Sequence, residues 1–93
     1  MFRKNLPINS GLLFVFDSAA RRSFTMLFVK IPLDLIFLNS EKEIVHIERN
    51  AIPCHGLWCK PINPRVKAQY VLEINAGLSD KLGLKLGDLA YFA

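Results

Sequence analysis

The residues best suited to chemistry in this sequence lie around two cysteines. Cys54 and Cys59 are the only cysteines of the chain, and His55 follows the first of them. A thiol beside an imidazole suggests an activated nucleophile, and two thiolates with an imidazole suggest three zinc ligands. Neighbours in sequence usually point apart, however, and the Cys-x4-Cys spacing is wider than a zinc knuckle and lacks a second pair. We therefore expect no metal and no cofactor here.

The same two cysteines also bear on the redox state of the chain. Two thiols are too few for a disulfide scaffold, although a single disulfide between them can form in an oxidising compartment. For a cytoplasmic protein we expect Cys54 and Cys59 to remain unpaired thiols.

Asp34 is the most informative polar residue because it lies inside an apolar segment, Leu33–Leu38. A buried carboxylate is costly unless it is paired or hydrogen-bonded, so Asp34 must have a partner. Three basic residues are candidates for that partner: Lys30, Arg3 and Arg22. Asp34 is then either a general base or ligand anchor, or a structural carboxylate that fixes backbone amides or pairs with an arginine. We favour the structural role.

A second carboxylate lies in a strand-like segment near the C-terminus. Glu73 and Asn75 share one face of the segment Gln69–Asn75. Asp34 and Glu73 would form a carboxylate pair like that of a hydrolase if their strands were neighbours. A pair between Glu73 and Arg3 or Arg22 is an equally good interpretation.

The only tryptophan, Trp58, lies in the loop from Pro53 to Pro64, which contains three prolines and one glycine. Facing solvent beside Leu57, it would form an apolar patch of the kind that marks partner sites. Facing inward, it would close one end of a barrel. We expect the inward orientation, because small domains need their large aromatic residues for the core.

Length and composition limit the classes of protein to which the chain can belong. Its 93 residues predict one domain over residues 1–93, and 52% hydrophobic with 22% charged residues is typical of a globular fold. The net charge of +4 comes from scattered basic residues without interleaved aromatics, so nucleic-acid binding is not expected. The longest apolar stretches are far too short to span a bilayer. The sequence as written predicts a soluble cytoplasmic protein, or an exported one if a longer native N-terminus carries a signal.

Strand signals dominate the elements that must position these residues. We predict one helical turn, Leu78–Leu82, ended by Gly83. A hairpin is expected where the polar break Asn39–Lys42 separates two β-rich segments. The predicted strands are Leu12–Phe16, Phe24–Val29, Leu33–Leu38, Glu43–Arg49, Gln69–Asn75 and Leu89–Phe92. They indicate a mainly β fold rather than an α+β domain: a single small β-sandwich, jelly-roll-like, or a partly open barrel with one short helical turn.

Several short motifs occur in a characteristic order along nearly the whole chain. They are Met1-Phe2-Arg3-Lys4-Asn5-Leu6, Gly11–Phe16, Ile31-Pro32-Leu33-Asp34, Pro53-Cys54, Leu72–Gly77 and Gly87-Asp88. In this order and spacing they resemble the uncharacterised family called domain of unknown function 192. The resemblance implies a compact, mostly β domain of sandwich or jelly-roll type, and it implies no established activity.

The chain departs from that family pattern in two places. Members usually carry about one further strand before the methionine that matches Met1, and an unpaired strand edge would favour dimerisation. Members also resemble Phe-Trp-Met-Lys-Asn-Thr where this chain has Phe24–Val29, so a site built there would be more apolar in this protein.

These observations favour a non-catalytic small β-domain that binds a small ligand, a peptide or a partner protein. Its surface is expected at the Pro53–Pro64 loop and at the strand ends. The candidate binding residues are Asp34, Glu73, Asn75, Arg3, Cys54 and Trp58. The alternative is a hydrolase-type enzyme that uses Asp34 with Glu73 or Cys54.

Overall fold

A computed structural model describes residues 2–5, 11–56 and 58–91, with residues 2–5 described through their backbone alone. The elements are β1 (Phe2–Asn5), β2 (Leu12–Arg21), β3 (Leu33–Leu38), β4 (Ile44–Ala51), β5 (Lys67–Asn75) and the helical turn α1 (Leu78–Lys81). The five strands are antiparallel and form one open sheet in the order β1-β2-β5-β3-β4. The predicted mainly β class with one short helical turn is confirmed. Within the described ranges, no helix is long and apolar enough to cross a membrane.

The predicted hairpin is confirmed as the connection between β3 and β4. The amide of Lys42 donates to the carbonyl of Asn39 over 3.0 Å, and the Asn39 amide donates to the carbonyl of Glu43 over 2.9 Å. The Asn39 side chain also accepts from the amides of Glu41 and Glu43, as asparagine commonly does in turns. The polar break therefore closes the turn through its own side chain.

The segment Phe24–Val29, predicted as a strand, is not one. It makes only single-residue bridges, Phe24 with Ile62 and Leu27 with Cys54. The amide of Val29 donates back to the carbonyl of Met26, and Phe28 has a φ of 64°. A turn with a left-handed residue cannot continue an extended strand, whatever the β propensity of its side chains.

The two chain ends also differ from the prediction. Strand β1 was not predicted, because its four residues show no alternation of apolar and polar side chains. The predicted last strand is reduced to a bridge between Glu43 and Leu89, and Phe92 lies outside the described residues.

Both faces of the sheet are covered, so β3 is buried on both sides. The first face carries Leu35 and Phe37, and Phe24 and Ile62 from two long loops pack on it. The second face carries Ile36 and Leu38 and is covered by α1 and by residues 84–91. On the first face, Phe24 meets three other phenylalanine rings edge to face, with centroids 5.7–6.5 Å apart: Phe14, Phe16 and Phe37.

Strands β1 and β4 are the outer strands of the sheet. The beginning of β4 is covered, because the Ile44 amide donates to the carbonyl of Asp88 and the Ile44 carbonyl accepts from the amide of Gly87. Dimerisation through a strand edge stays a prediction.

Candidate functional site

Asp34 lies in a cage of hydrogen-bond donors inside the fold. Its Oδ1 accepts from the amide of Asn50 over 2.8 Å. Its Oδ2 accepts from the amides of Gly77 and Ser79 over 3.1 and 3.0 Å, and from the Ser79 hydroxyl over 2.6 Å. Asp34 and Ser79 are both fully buried. The carboxylate therefore joins three elements of the chain: β3, the end of β4 and the turn that enters α1.

The hydrogen bonds determine the charge state of this carboxyl group. Burial by itself raises the pKa of Asp34, but the bonds from the Ser79 hydroxyl and from the amides of Asn50, Ser79 and Gly77 outweigh it, and the pKa is lowered. Asp34 is thus a buried anion whose oxygens are engaged by the fold. This geometry matches the structural carboxylate that fixes backbone amides, with amides and a hydroxyl as its partners instead of an arginine.

Glu73 and Asn75 lie on the neighbouring strand but face away from Asp34. In the register of β3 with β5, Asp34 pairs with Ile74 whereas Glu73 pairs with Leu35. Paired residues share a face and successive residues alternate, so Asp34 and Glu73 lie on opposite faces of the sheet. The carboxylate pair of the hydrolase alternative is therefore not formed.

Arg22, one of the basic residues proposed as a partner of Asp34, binds other groups. Arg22 donates from Nε to the carbonyl of Ala68 over 3.2 Å and from a terminal nitrogen to the carbonyl of Ser18, and it stacks 3.9 Å from the ring centroid of Phe16. It holds the first face together and does not reach Asp34, which accepts from other groups. The backbone of Arg3 lies in β1 opposite Phe14, and its side chain is outside the described residues.

Cys54 and Cys59 form a disulfide, with their Cα atoms 5.7 Å apart. Of the two states that the sequence left open, the bridge expected of an oxidising compartment is formed and the unpaired thiols expected of a cytoplasmic protein are not, because the bend at Gly56 brings the two residues together. A disulfide sulfur is no thiolate, so Cys54 is not available as the nucleophile of the hydrolase alternative. Among the described residues, no three histidine, cysteine or acidic side chains converge as metal ligands.

The most exposed apolar side chains of the two loops lie on loop segments that are linked through Cys54, and we call these side chains the loop surface. It consists of Phe28 and Ile31 on residues 22–32, and Ile52 and Trp58 on residues 51–66. Their exposed fractions are 81%, 51%, 60% and 92%, respectively. The inward orientation expected of Trp58 was wrong, because Phe24 and Ile62 already cover the first face. Leu57, its expected partner, lies outside the described residues.

Backbone bonds and the disulfide hold the two loops together. The amide of Cys54 donates to the carbonyl of Met26 over 3.1 Å, and the amide of Phe28 donates to the carbonyl of Cys54 over 3.4 Å. Trp58 directly precedes Cys59 in the chain, and the disulfide links Cys59 to Cys54. The tips that carry Phe28 and Trp58 are therefore neighbours, although 30 residues separate them in sequence.

A second concave feature lies on the second face of the sheet. A half-open cavity of about 620 Å³ lies between strand side chains and the C-terminal segment. Its lining is mostly aliphatic and includes Leu13, Ile36, Leu38, Ile44, Leu72 and Leu84. A volume of this size falls in the range of small-molecule sites, about 300–1,000 Å³.

Sequence reasoning missed the residues that decide these sites. Ser79, the closest partner of Asp34, is 45 positions away along the chain, and no local signal connects the two. Phe28, Ile31 and Ile52 were not singled out either. A usable signal was their position in segments interrupted by prolines and turns, where apolar side chains have no regular face to bury.

Three comparisons place the chain among known proteins. The model of the family domain of unknown function 192, described as "Uncharacterized ACR", matches residues 1–91. A UPF0127 protein from Thermococcus sibiricus is 34% identical over 83 residues, which cover 87% of this chain and 50% of that protein. The chain thus spans about half the length of the curated relative it matches.

Two crystal structures share the fold. A protein of unknown function from Novosphingobium aromaticivorans superposes with a TM-score of 0.81 at 34% identity, covering 99% of this chain and 64% of the other. A protein from Sinorhizobium meliloti, described as a proposed transcription regulator, superposes with a TM-score of 0.79 at 35% identity. That match covers 96% of this chain and 67% of the other.

Proposed function

The chain belongs to the family domain of unknown function 192, and because no activity is assigned to that family we propose the function from the surface: a non-catalytic domain that binds a partner through the loop surface. The observation that carries this proposal is the exposure of Trp58 and Phe28 on neighbouring loop segments that are linked through Cys54. Exposed aromatic residues that cluster, instead of lying singly, mark interaction sites.

The loop surface is organised before any partner binds. Phe24 and Ile62 exchange two backbone hydrogen bonds, Phe24 donating over 3.0 Å and Ile62 donating over 2.6 Å. Their side chains pack on the first face of the sheet, and the disulfide fixes the tip of the second loop. Loops that are already ordered lose less conformational entropy on binding, which favours affinity.

The backbone at Phe28 supports a functional role. Its φ of 64° is left-handed, a conformation that bulky side chains rarely adopt and that glycine or asparagine would adopt more easily. The phenylalanine side chain is exposed, so it does not compensate for this strain by packing in the core. Strained residues concentrate at functional positions, and here the strain presents an aromatic ring to solvent.

The candidate catalytic groups support a non-catalytic role. The carboxylate of Asp34 is fully buried and engaged by donors, Glu73 lies on the other face, and Cys54 is disulfide-bonded. General acid–base or nucleophilic catalysis needs a group that reaches the substrate.

Retention on a phenyl matrix tests the loop surface. The double substitution Phe28→Ser with Trp58→Ser should shorten retention markedly. A matched control, Leu86→Ser with Tyr91→Ser, removes two side chains of similar exposure from the C-terminal segment and should shorten it less. The free energy of unfolding of both variants should stay within about 0.5 kcal/mol of that of the native chain, because the altered side chains contact little of the fold. Equal retention of the two variants would contradict the proposal.

The apolar cavity on the second face supports a second candidate, the binding of a small uncharged apolar molecule. Ala90 lines the cavity, so Ala90→Leu should fill part of it. We expect the native chain to enhance the fluorescence of the uncharged dye N-phenylnaphthylamine and the variant to enhance it less. Identical enhancement would exclude the cavity as the dye site.

The disulfide also supports an oxidising compartment for the protein, against the cytoplasmic expectation, because disulfides persist where thiols are not kept reduced. Maleimide labelling of protein trapped in intact cells tests this. We expect Cys54 and Cys59 to be labelled only after reduction, and labelling before reduction would contradict it.

A further inference from the structure

We propose that the partner of the loop surface is an anionic lipid membrane, with Phe28 and Trp58 entering the interface and nearby basic residues contacting the headgroups. This inference rests on the proposed function, and it adds the chemistry of the partner. The observations behind it are the charge of the two loops, the shape of the patch and the types of its side chains.

The net positive charge of the protein comes from these loops. Residues 22–32 and 51–66 contain four basic residues and no acidic one: Arg22, Lys30, Lys60 and Arg65. The other eight basic residues of the chain are balanced by its eight acidic residues, so the two loops account for the whole net charge of +4. Lys30 is next to Ile31 in the chain and Lys60 lines a groove with Ile52, so these two lysines lie beside the patch, whereas Arg22 and Arg65 adjoin the other end of the sheet. Basic residues beside an apolar patch attract a negatively charged surface.

One acidic group near the loop surface, Glu48, contacts a histidine of its own strand. Glu48 lines a groove of about 300 Å³ with Lys60 and Ile52, beside the patch. The ring nitrogen Nε2 of His46 lies 2.9 Å from its Oε1. Glu48 is thus shared with a neighbour on its own strand, and Lys30 and Lys60 are exposed.

The shape of the patch favours lipid over a protein partner. Trp58 is 92% exposed and Phe28 is 81% exposed, so each projects from a loop tip and touches little of its own chain. Protein hot spots usually fill pockets within a larger complementary surface. Projecting tips instead suit a deformable partner, and tryptophan is favoured at the membrane–water boundary, with lysine stems that reach back to the headgroups.

Trp58 provides the reporter, because it is the only tryptophan of the chain. The protein is titrated with vesicles of phosphatidylcholine alone and with vesicles that also contain phosphatidylserine, and binding is measured by sedimentation and by tryptophan emission. We expect a blue shift with the anionic vesicles, quenching by brominated lipid, and weaker binding as salt rises. Phe28→Ser should lower the partition coefficient several-fold.

Charge reversal locates the contact. Lys30→Glu with Lys60→Glu should weaken binding to anionic vesicles at least about tenfold, since each basic residue at such a surface contributes roughly a fivefold effect. The matched control Lys81→Glu with Lys85→Glu makes the same change of net charge on segments that cover the opposite face. Equal weakening by the two double variants would overturn the proposed orientation.

Three further outcomes separate this inference from the proposed function. Absence of vesicle binding, with phenyl-matrix retention still dependent on Phe28 and Trp58, would overturn the membrane and leave a protein partner. A dimer in sedimentation equilibrium that Phe28→Ser dissociates would overturn it too, because a second copy would then cover the surface. If retention on the phenyl matrix does not depend on Phe28 and Trp58, the proposed function itself is contradicted.

Discussion

Replacement of Asp34 by asparagine tests whether this carboxylate ties the fold together. Asparagine keeps the shape of the side chain, but it offers one acceptor oxygen and an NH₂ group where aspartate offers two acceptor oxygens. The native carboxylate accepts four hydrogen bonds: from the amides of Asn50, Gly77 and Ser79 and from the Ser79 hydroxyl. The variant cannot satisfy all of these donors.

The best arrangement of asparagine points its oxygen at Gly77 and Ser79 and its NH₂ group at the amide of Asn50. One buried amide then faces another donor, which costs about 1–3 kcal/mol. The three remaining bonds lose their charge assistance, and a charge-assisted bond is roughly twice as strong as a neutral one. We therefore expect Asp34→Asn to lower the free energy of unfolding by about 3 kcal/mol. That is a large fraction of the ~5–14 kcal/mol expected for a chain of this length.

Urea unfolding followed by far-UV circular dichroism is the suitable assay. Tryptophan fluorescence is a poor probe, because Trp58 is exposed in the native state as well. The matched control is Asp80→Asn, which breaks an exposed ion pair with Arg49 and should cost at most about 1 kcal/mol. Ser79→Ala should fall between the two, since it removes one of the four bonds. Equal effects of Asp34→Asn and Asp80→Asn would refute the structural role of Asp34.

The same comparison has a defined pH dependence. The pKa of Asp34 is lowered in the native state from its ordinary value of 3.8, so the native chain binds this proton more weakly than the unfolded chain. Its contribution to stability is fully present well above pH 3.8 and is lost as the pH falls through the lowered native pKa. The difference in unfolding free energy between the native chain and Asp34→Asn should therefore shrink on acidification. A difference that stays constant or grows would contradict the lowered pKa.

The other predictions concern the loops and one glycine. Reduction of the disulfide between Cys54 and Cys59 should lower the unfolding free energy by about 2 kcal/mol, because the bridge closes only a short loop, and calorimetry in reductant measures it. Unchanged calorimetry in reductant would argue against the bridge. Gly11→Ala should destabilise by about 3 kcal/mol or more, because a Cβ atom there would lie 1.6 Å from the carbonyl oxygen of Glu73, and a soluble variant of native stability would contradict that contact. Phe28→Asn should raise the unfolding free energy by about 0.5–1 kcal/mol, because asparagine adopts the left-handed backbone more easily. It should also weaken retention on the phenyl matrix, since it removes an exposed aromatic ring. A loss of stability would show that Phe28 packs in the core.

The sequence by itself predicted the elements whose signals are local. The hairpin of β3 and β4 follows from two β-rich segments with Asn39–Lys42 between them. The helical turn α1 ends at Lys81, and Gly83 follows it with a φ of 69°, which suits glycine. The family resemblance, carried by motifs spread from one end of the chain to the other, was also confirmed. Strand β1 lacks such a local signal, and its membership in the sheet comes from pairing with β2.

Only the tertiary structure decided which of the candidate residues meet. The sequence showed that Asp34 needs a partner, but the order of the strands brings it to Ser79 and turns Glu73 to the opposite face. Trp58 faces solvent because Phe24 and Ile62 already cover the first face, a competition for space that no short segment encodes. Contacts between residues far apart in sequence depend on the packing of the whole chain, and such contacts bring together the two loops that carry the loop surface.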